Sequence, residues 1–201
     1  MGGTGARERI LRAAAELFAE RGYTTVSVRE VCEAAGVSKP TLYYYFGSKA
    51  GLANALLSEA AGDFLGDVRR IAQGGGDVRG RLKAIARSVF ERSAAAPTAC
   101  RFFYACLFAP PQEGVEYDFE HTIPELLGMT AAVFEEGRAA GVVAQEYEAE
   151  FCAMVLLGAL QGYTIRFLRR SDVRLTSDLA DDLVEAVLKG LAPHGTEEGE
   201  R

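Results

Sequence analysis

Residues 26–49 read VSVREVCEAAGVSKPTLYYYFGSK, and this stretch decides the fold. Ser27 followed by Glu30 is a capping box, in which the Ser oxygen takes the Glu30 amide while the Glu carboxylate reaches back to the Ser27 amide. A helix therefore begins at Val28. Val28, Val31, Cys32 and Ala35 fall on one buried stripe of that helix, and Gly36 supplies the left-handed residue that ends it. Val37 fills the corner, Ser38 caps a second helix, and Pro40 sits in its first turn, where a missing amide costs nothing. The second helix, Lys39 to Phe46, turns Leu42 and Phe46 inward and leaves Lys39, Thr41, Tyr43, Tyr44 and Tyr45 on its remaining surface. Two short helices joined by a tight turn make a helix-turn-helix.

A two-turn helix that spends three large phenols on its outer face needs a partner for them. Tyr and Thr hydroxyls and a Lys ammonium are donors suited to phosphate oxygens and base edges, and a helix of this size fits a major groove. Arg29 and Lys39 are placed to reach base edges, while Ser27, Thr41, Tyr43, Tyr45 and Lys49 are candidates for phosphates and Tyr44 for either. The structural alternative is a small helical corner whose tyrosines are half buried. Lys49 adds a cue, because Gly47-Ser48 starts another helix with this cation in its first turn, against the helix dipole. A DNA phosphate would offset that, whereas residue type alone reads Lys49 as an ordinary solvated lysine.

The stretch resembles the DNA-binding signature of the TetR family of bacterial repressors, in which a small-residue helix ends in AGVS and TLYxYF and a Lys follow. Ala35-Gly36-Val37-Ser38, Thr41-Leu42-Tyr43-Tyr44-Tyr45-Phe46 and Lys49 carry the match. The motif-level resemblance covers residues 6 to 52. It implies an all-α fold, a three-helix head followed by a larger helical ligand-binding and dimerisation domain. It also implies a repressor that binds palindromic operator DNA as a homodimer and is released by a small molecule.

The whole chain agrees with a helical protein of two parts. Its 201 residues, 49% hydrophobic and 25% charged, are enough for a sizeable core and argue against disorder. Net charge is -6, which at first opposes nucleic acid, but residues 1–60 hold seven Lys/Arg against six Glu, or +1, and the rest of the chain carries -7. Placement of positive groups matters more than the sum. No window approaches 18 uninterrupted apolar residues and MGGTGARERI lacks a signal-peptide core, so the expectation is a cytoplasmic protein without a membrane. Cys32, Cys100, Cys106 and Cys152 are scattered through apolar patterns and read as reduced core thiols.

Helical periodicity predicts about nine helices. The first runs from about Ala6 to Arg21 with Ile10, Leu11, Ala14, Leu17 and Phe18 inward, and covers the helix-turn-helix to complete a head of residues 1–50. A long helix then continues from Lys49 to about Ala72 through Gly62 and Gly66, and Gly74-Gly75-Gly76 closes it. Residues 51–201 form the effector-binding and dimerisation part. It contains Asp77 to Ala95, an apolar Thr98 to Phe108 expected to be buried all round and stopped by Pro110-Pro111, and Tyr117 to Ala140 with Pro124 inside. Glu146 to Arg170 and Asp178 to Leu191, capped by Ser177, complete it, and His194 to Arg201 reads as a loose tail.

An aromatic stripe is more often core than cavity, but the family resemblance implies an effector pocket here. The candidates are Phe64 on the long helix, Phe103, Tyr104, Leu107 and Phe108 on the next apolar one, and Phe119, Met129 and Phe134 further on. Tyr163 and Phe167 complete the set, and the scarcity of charge favours an apolar or aromatic ligand. Because the three glycines insulate the long helix, it is expected to be the only covalent route from pocket to head. One short recognition helix is too little for a specific site, so two-fold pairing is expected to place two heads on half-sites about one helical turn apart. Met154, Leu157, Gly158 and Gln161, with Leu183, Val184 and Val187, are the candidates to form a four-helix bundle, Gly158 and Gly162 allowing close approach.

Enzyme chemistry finds no foothold. His121 and Glu125 have i, i+4 spacing, but Pro124 disturbs the turn and no third ligand is evident, so they read as a surface pair and no metal or cofactor is expected. There is no strand to precede a phosphate loop, and Glu135-Glu136 and Asp181-Asp182 are solvated faces. The rival reading is a helical ligand-binding or docking adaptor whose head meets another protein.

Overall fold

Local capping sets the helices at the N-terminal end. In a computed structural model, which describes residues 5–108, 115, 117–170 and 172–192, α1 spans Ala6–Arg21, α2 Val28–Ala35, α3 Lys39–Phe46 and α4 Lys49–Ala72. The remaining helices among the described residues are α5 Val78–Ala95, α6 Pro97–Phe108, α7 Phe119–Ala139, α8 Ala149–Arg169 and α9 Ser177–Gly190. The fold is all-α. Pro110-Pro111 and the tail from His194 lie outside the described residues.

Two compact units result, and α4 runs unbroken through the boundary between them. The first comprises residues 1–63 and 96–119, with α1 packed against α2, α3 and α6. Ile10, Ala14, Phe18, Val31, Leu42 and Leu52 are its buried centre, each large side chain contributing roughly 1.5–3 kcal/mol by leaving water. The second comprises residues 64–95 and 120–201, with α9 laid on α5 and α8, and α5 on α8. Leu82, Ile85, Phe90, Val133, Leu156 and Leu188 fill that core. Although α8 is long and apolar enough by length and composition to cross a membrane, Cys152, Leu156 and Leu160 bury one of its faces inside this unit.

Several expectations are corrected by this packing. α6 is not buried all round: Phe102 alone is fully covered, 5.3 Å from the Phe18 ring, while Phe108 is 68% exposed. A short helix resting on one neighbour can hide only one side. Since α6 belongs to the first unit and packs on α1, the chain crosses the unit boundary at residues 95/96 and 119/120 as well as within α4, although α4 is the one covalent connection to residues 1–50. α9 is capped by Thr176, whose hydroxyl accepts from the Leu179 amide at 3.2 Å, rather than by Ser177, which is its first helical residue. α8 begins at Ala149, with Glu148 as N-cap.

The second unit also buries a charge that periodicity did not reveal. Arg81 is only 8% exposed. Its guanidinium donates to the Ala72 carbonyl at the end of α4 (2.8 Å) and pairs with Glu136 on α7, which holds that carboxyl below its usual range. Asp67 pairs with Arg70 and with Arg92, and Arg69 with Glu125, so the last turns of α4 are tied to α5 and α7 by charge as well as by apolar contact.

Candidate nucleic-acid interface

The helix-turn-helix is built by the caps that its sequence specifies. Ser27 Oγ accepts from the Glu30 amide at 3.2 Å and the Ser27 amide donates to Glu30 at 2.7 Å. The Ser27 amide and hydroxyl, each donating to the Glu30 carboxylate at 2.7 Å, and Arg21 at 2.8 Å hold that carboxyl down at about 2. Gly36 takes φ 62° and ψ 44°, the left-handed conformation that ends α2. Ser38 Oγ accepts from the Thr41 amide at 3.3 Å to open α3, and Pro40 sits in its first turn. Gly47, at φ 71°, ends α3, and Ser48 Oγ accepts from the Gly51 amide at 2.9 Å to start α4.

This frame puts Leu42 at 0% exposure beneath α3 and leaves Tyr43 47%, Tyr44 83% and Tyr45 42% exposed. Lys39 is exposed beside them, Thr41 is half-buried and shares its hydroxyl with Ser38 at 2.8 Å, and Ser27 is exposed at the start of α2. Tyr44 and Tyr45 meet edge to face, 5.1 Å between centroids, so the ring row is pre-arranged. Ser27, Arg29, Lys39, Tyr43, Tyr44 and Tyr45 are thus surface groups of α2 and α3. Arg29 is engaged with Glu33 at 2.7 Å and must exchange that partner for any nucleic-acid contact.

Lys49 is placed differently from a free surface lysine. Its ammonium lies 4.3 Å from the Tyr23 ring centroid and donates to the Thr24 carbonyl at 3.4 Å, and burial lowers its pKa. The ring and carbonyl offset the cation's unfavourable place at the helix start, the role assigned to a DNA phosphate from sequence. A phosphate contact would compete with both.

Sequence reasoning missed the supports. Arg7 pairs with Glu59 on α4 and places its guanidinium 5.7 Å from the Phe46 centroid, and Arg9 donates to the Ala35 carbonyl at 3.1 Å at the end of α2. Gly51 matters sterically, since a Cβ there would be driven into the Phe46 carbonyl at the α3–α4 turn. No local pattern announces these contacts, because each joins residues distant in sequence or depends on the close passage of backbone.

The ligand candidates separate into two groups. In the first unit Phe103 touches Tyr104, Tyr117 and Phe119 at 5.9, 6.1 and 5.3 Å, and Tyr104 stacks on the exposed Phe108 at 6.2 Å, with Leu107 half-buried nearby in sequence. In the second unit Phe64 and Met129 pack on the core's edge, Tyr163 lies 6.5 Å from Phe90, and Phe167 is half-buried. Phe134 is corrected: it is fully buried core, with no surface for a ligand. Two open grooves of this unit, about 420 and 330 Å³, are lined instead by groups such as Arg79, Val142 and Glu185, or Arg81, Glu136 and Val142.

Of the pairing candidates, Met154 and Gly158 are exposed on α8, Leu157 and Gln161 are half-buried there, and Leu183 and Val187 are half-buried on α9. Val184 is corrected, being fully buried inside its own chain. His121 lies 3.7 Å from Glu125, whose carboxylate also meets Arg69, and no group of metal ligands occurs among the described residues. None of the four cysteines is joined in a disulfide, and burial raises Cys106 to about 11, so its thiol is protonated at neutral pH.

An all-helical chain whose capped N-terminal helix-turn-helix exposes the outer side of its second helix defines a helix-turn-helix protein. Comparison narrows the class. Residues 10–56 match the sequence profile of "Bacterial regulatory proteins, tetR family". The repressor KstR2 of Rhodococcus jostii is 34% identical over 102 residues, 51% of this chain and 50% of that protein. The activator FasR of Mycolicibacterium smegmatis is 38% identical over 85 residues, 42% of this chain and 39% of that protein. The chain thus spans half the length of these curated relatives or less. The crystal structure of the regulator FadR from Bacillus subtilis, in complex with stearoyl-CoA, superposes with a TM-score of 0.76 at 20% identity, covering 90% of this chain and 97% of that one. The likeness to the TetR family of bacterial regulators thus falls on residues 10–56, the helix-turn-helix and its flanking helices.

Proposed function

We propose that the chain is a transcriptional regulator that binds palindromic operator DNA as a homodimer and is released by a small, mainly apolar or aromatic ligand. The observation that carries the reading is the outer side of α3, where three exposed phenols stand beside Lys39 on a helix fixed by Ser38, Gly47 and the buried Leu42. Hydroxyls and an ammonium on a rigid two-turn helix are suited to phosphates and base edges in a major groove. Arg29 and Lys39 face bases, Ser27, Thr41, Tyr43 and Tyr45 face phosphates, Tyr44 serves either, and Lys49 does so only by leaving Tyr23. The protein works where its DNA is, in the cytoplasm.

The sense of regulation proposed is repression, the family's relatives including both repressors and an activator. Support for an apolar effector comes from the aromatic contacts around Phe103 and the edge residues Phe64, Met129, Tyr163 and Phe167. Ligand and DNA bias one two-state arrangement, so each weakens the other by an equal factor, typically about 5–150-fold. Gel retardation with DNA from upstream of the protein's own gene, with and without apolar candidates, tests both parts. A retarded band lost on adding ligand is expected. Failure to retard any neighbouring intergenic fragment would favour a head that docks on protein.

A further inference from the structure

We propose that Glu33 of α2 is a specificity-determining residue that reads DNA together with Arg29. On a G·C base pair the guanidinium leaves Glu33 for the guanine, and the freed carboxylate accepts from the cytosine amino group. The inference rests on the DNA-binding reading above and adds one residue and one base pair to it. Three observations on α2 converge.

The first is the order of the two charges. Arg29 stands in the first turn of α2 and Glu33 in its last, so the helix dipole disfavours both. Their i, i+4 order is also the weaker one, since an acidic residue placed before the basic one supports a helix better. Exchanging the two residue types would stabilise α2 on both counts. The helix itself therefore gives no reason for this order.

The second is that the pair is open to a partner. Arg29 Nε donates to Glu33 Oε1 at 2.7 Å, while the two side chains are 75% and 61% exposed. An ion pair so open to water stabilises little, and exchanging it costs little. The other carboxylate of this helix, Glu30, is taken by Ser27 and Arg21.

The third is position. Burial pushes the pKa of the Cys32 thiol up, and two charges lie close enough to act on it, Lys39 lowering it and Glu33 raising it. The flank of α2 that carries Glu33 thus adjoins the first turn of α3, where Lys39 begins the surface assigned to base edges. Arg29, one turn before Glu33, shares that flank. A carboxylate there is repelled by any DNA phosphate, and a donor on a base edge offsets that repulsion.

The chemistry of the two side chains selects the base pair. Guanine presents two acceptors, O6 and N7, to the major groove, and the cytosine opposite presents its N4 amino donor. A guanidinium beside a carboxylate matches that row of two acceptors and one donor. An A·T pair sets its one donor between its two acceptors, so no adjacent acceptors meet the guanidinium.

Selection from a library of randomised duplexes by the full-length chain, with sequencing of the bound fraction, tests this. The wild type is expected to enrich a G·C pair at a position that Arg29→Ala relaxes by about 5–150-fold and Glu33→Ala by about 5-fold or more, other positions being unchanged. Glu33→Gln, whose amide oxygen still accepts, keeps the preference. In the selected duplex, N4-methylcytosine at that position carries a methyl in place of the hydrogen facing the major groove. It should weaken binding of the wild type and leave that of Glu33→Ala unchanged. Helix content by circular dichroism checks that each variant is folded. A preference untouched by Glu33→Ala, or one weakened equally at every position, overturns the assignment of Glu33 while DNA binding stands. A wild type that enriches no sequence overturns the DNA-binding reading itself, and this inference with it.

Discussion

α3 and α8 each leave a row of large side chains uncovered, and the two rows are chemically opposite. On α3 every exposed ring, Tyr43, Tyr44 and Tyr45, carries a hydroxyl, with Lys39 at the helix start. On α8 the exposed Phe151, Met154 and Val155 carry no hydrogen-bonding group, and charge stands only at the ends. The first suits a polar partner whose oxygens need donors, the second an apolar one. Exposure of an aromatic or aliphatic side chain therefore says little until its neighbours on the same helix are read.

The largest expected effect separates the inner from the outer side of α3. Leu42→Ala removes a fully buried side chain from beneath the recognition helix and should cost about 2–5 kcal/mol, seen as a lower thermal midpoint and lost DNA binding. Tyr44→Ala, from the most exposed position, should leave stability within ~0.5 kcal/mol and still weaken DNA binding. Equal loss of stability in both variants would mean that α3 has no free outer side.

A finer comparison concerns the two lysines. Lys39→Ala should relax sequence preference by about 1–3 kcal/mol, measured as operator affinity against a scrambled duplex. Lys49→Ala should weaken all sequences alike and lower the salt slope by about one unit if its ammonium leaves Tyr23 for a phosphate. An unchanged slope with a lower thermal midpoint would make it an internal clamp between α4 and the α1–α2 connection.

The smallest effects fall on the frame. Ser27→Ala removes the α2 cap and should cost about 1 kcal/mol by thermal unfolding. Its partner Glu30 has a carboxyl held far below its ordinary 4.5, at about 2. A depressed folded value means that this contribution is complete above pH 4.5 and is lost as pH falls from there to about 2. Acid titration of stability should show that loss in the wild type and a shallower one in Glu30→Gln.

The bounds of α1 to α4 were legible because their signals are local: Ser27, Gly36, Ser38, Gly47 and Ser48 each act on backbone within a few residues. The outward row of α3 followed from the same register. What was illegible is tertiary. Nothing in the apolar run of α6 says that Phe102 is the residue it buries fully, against Phe18 of α1, nor does spacing say that Arg81 is buried against Ala72 and Glu136. Val184 and Leu183 are adjacent apolar residues of one helix, and only the packing of α9 on α5 and α8 decides that the first is core. Lys49 shows the limit of local inference in the other direction, since the unfavourable charge was legible and the group that offsets it was not.

The most direct test of the central claim, that the outer side of α3 reads DNA, is a fluorescence-anisotropy titration of duplexes from upstream of the protein's own gene with the wild type and with Lys39→Ala combined with Tyr43→Phe. The account predicts saturable binding that prefers one duplex over its scrambled counterpart for the wild type, and loss of both affinity and preference for the variant. Unchanged operator affinity in the variant would contradict it.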